Sequence, residues 1–551
     1  MIALNMSLFL ATTDTTIVST SLATIVADLD GSDSDYAWVG VSYMLMQTSF
    51  QPLYAKLSDI FGRKVILFVS MAVFMLSSCL CGTAQSMLSL ILLRGMQGAG
   101  GGGIVAMAWI IPDDLIPKGE GQAKWAHMKS FAWGMSAVSG PLLGGLFSDT
   151  ISWRWAFFIN IPIGAIAGLL LCIFLIPQPV HVRKPWSETV ARFDWLGAIL
   201  LTSGTAAIIV GLSNASRLGF VSLQTLPLII GGVILFGLGI LNEAITKRDA
   251  VLPPKLFRAR EPALLLAMTF LHNFAFTAGT FYLALYYQAV DGSSALMAGV
   301  LMLPYSLGSC LISFPAGRWG EAVGLRRVYW TGFSSALLGF GLMITLNAES
   351  SPAVQAIYPL VAAVGIGLLF HCFKTGLQLA LPGTADDAGA TSAFFLVRFI
   401  GATTGLSLSS AIFSSTLTAK LPAGLDLAQS TAGIDYRALH FLTPILLRDN
   451  VLSAVSQALS MVWIVCAALL GFALLLSLLT RHHEPAPPFR MRFGFLKQTS
   501  APTPPTPCTT ITFASGPASA VAVSPFPSPH GPDLEKVLDG IGERLILEGN
   551  A

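Results

Sequence analysis

Ala55-Lys-Leu-Ser-Asp59-Ile-Phe-Gly62-Arg63-Lys64 is a short charged stretch wedged between two apolar runs, Tyr36 to Tyr54 and Val65 to Ala84. Only 11% of the 551 residues are charged and 54% are hydrophobic, with a mean hydropathy of +0.70. A soluble chain carries about 25% charged residues, so most of this one cannot face water. Where charge is this scarce, its placement is informative. An acid, a glycine and two cations between membrane-length runs make a poor lipid-binding loop and a good hinge.

A helix rising about 1.5 Å per residue needs about twenty apolar residues to cross a roughly 30 Å hydrocarbon core. Such runs recur at 2–26, 36–55, 65–84, 87–111, 125–148, 156–177, 194–213, 225–246, 262–287, 294–317, 328–347, 353–380, 388–416 and 454–480. They are expected to be helices, since an unpaired backbone group in lipid costs about several kcal/mol. The fold class is therefore all-α and polytopic, with about 14 transmembrane helices in a lipid bilayer.

Cations set the orientation. Lys56/Arg63/Lys64, Lys118/Lys124/Lys129, Arg183/Lys184/Arg192, Lys247 through Arg260, and Arg318/Arg326/Arg327 fall in alternate loops, which the positive-inside rule makes cytoplasmic. Both termini are then cytoplasmic. A net charge of +2 does not point to nucleic acid. Met1 lies almost inside the first apolar run, which could read as a signal peptide. That run lacks a basic leader and carries Asp14 at its middle, so a missing cytoplasmic N-terminal tail is the expectation. The seven cysteines show neither zinc spacing nor a disulfide framework, and no metal or cofactor is expected.

A degenerate copy of the charged stretch stands at Gly317-Arg-Trp-Gly-Glu321-Ala-Val-Gly324-Leu-Arg326-Arg327. Aligned on the glycines, Glu321 falls where Asp59 stands and Arg326 where Lys64 stands. The copies follow the second and tenth runs, which divides the chain into a six-helix half at 1–193, two linker helices with a cytoplasmic linker at 194–261, and a second six-helix half at 262–480. From 481 to 551 the composition turns to Pro, Ser and Thr, as in Ala501-Pro-Thr-Pro-Pro-Thr-Pro507, and a disordered cytoplasmic tail is expected. Residues 417–450 read as the one long outer loop.

Several polar groups sit where hydrocarbon is expected. A charged Asp at a helix centre costs about 2.5–3.5 kcal/mol, so Asp14 reads either as functional or as wetted from a vestibule. Burial raises a carboxyl pKa toward the range where protons load and release, and a nearby cation lowers it again. Arg94 in Arg94-Gly-Met-Gln97-Gly98-Ala-Gly100-Gly-Gly-Gly103 wants an anion, a cavity, or an interface to snorkel to. The same run contains a formal G-x-G-x-x-G, but no strand precedes it, so close helix packing is expected and a dinucleotide site is not. Gly140, Pro141, Gly144 and Gly145 combine a missing backbone donor with small residues, reading as a bend, a gate or close packing. His272, Asn273, His371, Lys374 and Arg398 are further polar groups in apolar runs. A substrate cavity is expected to draw on Gln97, His272, Asn273 and Arg398; Arg398 could bind an anionic substrate or form a salt bridge. No G-x-x-x-x-G-K-[ST] loop or triad constellation is present, so neither an enzyme nor an ATP-driven pump is expected.

These motifs resemble those of the major facilitator superfamily. Asp59, Gly62, Arg63 and Lys64 match its G-x-L-x-D-x-x-G-R-K loop, with Ala55 in place of the first glycine. Asp14-Thr-Thr-Ile-Val, Arg94-Gly-Met-Gln97-Gly98, the helix-5 glycines and Trp153-Arg-Trp155-Ala-Phe-Phe-Ile-Asn160-Ile-Pro162-Ile-Gly164 are similar to motifs of the fourteen-span drug:proton antiporter family, fungal type. Ala23 and Ser136 depart from that pattern. The resemblance implies a monomeric, proton-coupled antiporter that exports toxic or secondary-metabolite small molecules by alternating access, at the plasma membrane in preference to the vacuole. It assigns proton coupling to Asp14 and Arg94, the cytoplasmic gate to Asp59, Gly62, Arg63 and Lys64, and interhelical tightness to Gly140, Pro141, Gly144 and Gly145. Vacuolar import of basic amino acids is the nearest rival; a transport-inactive nutrient sensor is a third reading. One proton driven by about 100 mV and two pH units brings roughly 5 kcal/mol, so a single site suffices.

Overall fold

The computed structural model describes residues 1–31, 33–116, 120–175, 193–246, 248, 256, 259–370, 372–380, 387–421, 438–441 and 444–480. Those residues are overwhelmingly helical. The first helices are α1 (Ile2–Asp28), α2 (Asp33–Phe61), α3 (Arg63–Gly82), α4 (Met87–Leu115) and α5 (Glu120–Thr150), followed by the broken pair α6 (Trp155–Phe158) and α7 (Asn160–Phe174). Then come α8 (Trp195–Leu218) and α9 (Leu226–Ile245). The remainder are α10 (Arg260–Ala289), α11 (Ala295–Leu301), α12 (Leu303–Val323), α13 (Leu325–Met343), α14 (Pro352–Leu369), α15 (Cys372–Ala380), α16 (Asp387–Lys420) and α17 (Ile445–Leu478).

Length and hydropathy qualify eleven segments among the described residues as membrane-crossing. The helices α2, α5 and α13 cover the other three expected runs. The charged stretch after Tyr54 is not a loop. Helix α2 absorbs it as far as Phe61 because nothing between Ala55 and Phe61 breaks a helix, and the chain turns at Gly62 alone, where φ is 91°. The outer segment expected at 417–450 is likewise shorter, since α16 runs to Lys420 and α17 begins at Ile445 behind Pro444. The tail from 481, His371 and the side chain of Glu321 lie outside the described residues.

Helix pairing repeats along the chain. The neighbours α1–α5, α2–α4 and α3–α4 recur as α10–α16, α12–α14 and α13–α14. The two sets meet where α2 packs on α16, α5 on α11 and α12, and α1 on α10. The pair α8–α9 packs on itself, with α8 also covering α2 and α16. Helix α9 turns Ile230, Val233, Ile234, Leu238 and Leu241 outward, an apolar face suited to lipid.

Candidate functional site

Asp14 sits at the middle of α1 with no exposed surface, as do Arg94 and Gln97 of α4. The Asp14 carboxylate accepts from Arg94 on Oδ2, and from Gln97 Nε2 at 2.8 Å and Asn160 Nδ2 at 2.6 Å on Oδ1. Ser78 of α3 ties the same amides together, accepting from Gln97 at 3.0 Å and Asn160 at 2.9 Å. The guanidinium lies over the rings of Tyr43 at 4.3 Å and Phe157 at 5.6 Å, and its Nη2 has no hydrogen-bond partner among the described residues. Three stretches that are separate in sequence, around Asp14, Arg94 and Trp153–Gly164, therefore converge on one buried ion pair. Removing either partner of such a pair strands a charge and costs about 3–5 kcal/mol.

At the far end of α1, Asp28 accepts from Trp153 Nε1 at 2.9 Å and from Arg154 Nη1 at 3.0 Å. The Trp-Arg-Trp stretch thus works as a clamp on a helix end; Trp153 is buried and only Trp155 is exposed.

Helix α5 runs unbroken through Pro141. A Cβ on Gly140 would meet the Thr16 hydroxyl, and one on Gly144 the Ile17 carbonyl, so α1 comes close enough for three hydroxyls to reach α5 carbonyls. Thr16 donates to Ser136 O at 2.9 Å, Thr20 to Pro141 O at 2.8 Å and Ser21 to Gly144 O at 3.0 Å. The opposite face of α5 meets α11. A Cβ on Gly145 would lie 2.7 Å from Leu296 Cα, one on Gly299 2.6 Å from Pro141 O, and Asp149 accepts from Leu296 N at 2.7 Å. These contacts close the space between α5 and α11 at the end of α5 away from Asp59.

In the charged stretch, Arg63 pairs with Asp59 at 2.6 Å and with Asp114 at 2.9 Å, joining the ends of α2, α3 and α4. Lys64 donates to Leu175 O at 2.6 Å and Cys172 O at 3.3 Å, capping α7. Every one of these contacts lies within residues 59–175.

A cavity lies between α4, α5, α10, α12, α15 and α16, on the Asp59 side of the α5–α11 contact. Its walls are aromatic, with Trp109 4.7 Å from Phe395 and Phe276 5.2 Å from Phe370, centroid to centroid. Of the residues expected in a cavity, Arg398 lines it, lying over Trp133 at 4.2 Å and Phe370 at 4.5 Å. Gln97 belongs to the Asp14 network instead. His272 is buried with Nε2 against Ile366 O at 3.0 Å, between the rings of Phe370 and Phe373, and Asn273 donates to Thr269 O at 2.8 Å. Sequence reasoning missed Trp109, Trp133 and Lys129 here and gave Lys374 little weight. Lys129 and Lys374 lie over Trp109 at 4.1 and 4.3 Å. Their signal in the sequence is a cation beside an apolar run, which a loop charge gives equally well.

A helical bundle with lipid-suited outer faces, a central cavity and a buried ion pair defines a multi-pass membrane transporter. The sequence signature described as Major Facilitator Superfamily matches residues 4–406, and the chain belongs to that family. It is a transporter of small molecules and not an enzyme. The chain is 33% identical over 485 residues to an uncharacterized transporter of Schizosaccharomyces pombe, covering 87% of this chain and 81% of that one. It is 32% identical over 494 residues to the efflux pump dotC of Dothistroma septosporum, covering 88% and 84%. A bacterial homologue of the human lysosomal transporter Spinster, in an inward-facing and occupied conformation, superposes with a TM-score of 0.58 at 15% identity over 87% of this chain and 95% of that chain, a likeness of fold.

Proposed function

We propose that this protein is a fourteen-span drug:proton antiporter that exports small molecules by alternating access, as a monomer in the plasma membrane with both termini cytoplasmic. The segments 1–193 and 262–480 act as halves that rock about the central cavity, with 194–261 as a spacer pair between them. Asp14 and Arg94 couple the proton, the Asp59–Lys64 junction governs the cytoplasmic side, and Gly140 to Gly145 seal the outer side.

The observation that carries the coupling is the Asp14–Arg94 pair, fully buried and held by three donors on the carboxylate. Protonating that carboxylate removes the charge that offsets Arg94, so proton binding must be accompanied by movement of α1 against α4. The efflux direction is supported by the 32% identical efflux pump dotC. Proteoliposomes with an imposed pH gradient test the proposal. Substrate export should follow the inward proton gradient and collapse when the gradient is dissipated; export indifferent to the gradient would refute coupling.

A further inference from the structure

We propose that the central cavity takes a small organic anion with a flat aromatic body, its acidic group held by Arg398 and by Trp109 Nε1. This rests on the reading of that cavity as the transport site and names the substrate class the site selects.

Three cations face one aromatic enclosure. Lys129 is 4% exposed and Arg398 6%, and the ammonium groups of Lys129 and Lys374 share the single ring of Trp109. No carboxylate stands among the described lining residues. For the buried Arg398 guanidinium an anion is the complementary guest. Ring faces stabilise a cation electrostatically but offer no lone pair. Arg398 makes no hydrogen bond or ion pair among the described residues while lying over Trp133 and Phe370. Its N–H donors therefore remain for a planar oxyanion, the geometry that guanidinium recognises bidentately.

A second observation points the same way. Trp109 is 7% exposed, lines the cavity, and its Nε1 has no hydrogen-bond partner. Buried donors are nearly always paired, so this one calls for an acceptor oxygen supplied by a guest. Trp109, Trp133 and Phe395 then provide flat surfaces on which an aromatic body stacks.

An anionic phospholipid headgroup shares the charge but not the flat ring, and the test separates the two. Full-length protein in phosphatidylcholine nanodiscs is titrated with 2-naphthoate, 2-naphthamide and 2-naphthylmethylamine at neutral pH. Naphthoate should bind at least tenfold more tightly than the amide, with the amine weakest. Arg398→Gln should weaken naphthoate about tenfold and leave the amide unchanged, while Arg398→Lys keeps the preference for the anion. Trp109→Phe should weaken naphthoate severalfold with the ring retained. Equal affinity for naphthoate and amide, or preference for the amine, overturns the proposal. Displacement of naphthoate when phosphatidylglycerol is added overturns it in favour of a lipid headgroup. Anion binding without export in proteoliposomes would refute the efflux reading alone; gradient-driven export of an amine with no naphthoate binding would refute this inference alone.

Discussion

Gly62 and Gly324 hold the same backbone conformation, with φ, ψ of 91°, 146° and 91°, 137°, each as the single residue between two helices. The likeness extends two residues on. Lys64 caps α7 through Leu175 O, and Arg326 donates to Leu478 O at 2.8 Å, at the end of α17. Both cations also lie over an aromatic ring four residues later, Phe68 and Trp330. A cation at a helix C-terminus meets the orphan carbonyls and the negative end of the dipole. The degenerate second copy therefore preserves a backbone turn and a helix cap.

A positive φ with an extended ψ is open to glycine almost alone and costs other residues about 1–3 kcal/mol. Gly62→Ala and Gly324→Ala are each expected to lower thermal stability in detergent by that amount. Gly231→Ala, where an added Cβ meets nothing within 4 Å, serves as the control. A Gly62→Ala protein that melts with the control would remove the backbone argument.

Asp14→Asn should abolish proton-driven export and destabilise the fold by about 3–5 kcal/mol, because Arg94 is left charged and unpaired in the core. Pairing it with Arg94→Gln should recover most of that stability and none of the coupling, giving a large interaction energy in a double-mutant cycle. Unfolding midpoints and flux measured on the same preparations separate the two effects. Full proton-coupled export by Asp14→Asn would end the assignment.

The Asp59–Arg63–Asp114 cluster is partly exposed, with Asp59 at 45% and Asp114 at 39%. Exposed pairs contribute about 0–1 kcal/mol, so Asp59→Asn should barely move the melting temperature. If Asp59 acts as a latch, turnover should fall at least tenfold with substrate binding retained. Lys64→Gln, which uncaps α7, should lose about 1 kcal/mol of stability in addition to slowing turnover. Parallel losses of binding and turnover in Asp59→Asn would argue against a latch.

The periodic placement of apolar runs made the bundle legible, and Asp14 and Arg94 were each conspicuous as charges in hydrocarbon. Their pairing was not, because it joins α1 to α4 across 80 residues and depends on how the α4 glycines let α2 and α3 approach. The cavity was harder still. Trp109 and Trp133 in an apolar run are indistinguishable from packing aromatics, and Lys129 reads as an orientation signal, until folding places all three around one space. The boundaries failed where polar sequence is still helix-compatible, as between Ala55 and Phe61.

Access to the cavity supplies the last test. The contacts of Gly145, Gly299 and Asp149 between α5 and α11 close one end, and the cavity lies toward the other, where Asp59 stands. If the termini are cytoplasmic, as proposed, the Asp59 side is the inside and the cavity is reached from there. A thiol at Leu223→Cys, 90% exposed between α8 and α9, should be labelled by an impermeant maleimide only from outside, and one at Phe61→Cys only from inside. Ser309→Cys, in the cavity wall, should react from the inside alone in resting vesicles. It should also be protected by a bound substrate. Labelling of Ser309→Cys from the Leu223 side at rest would mean that the α5–α11 contact is not the closed gate.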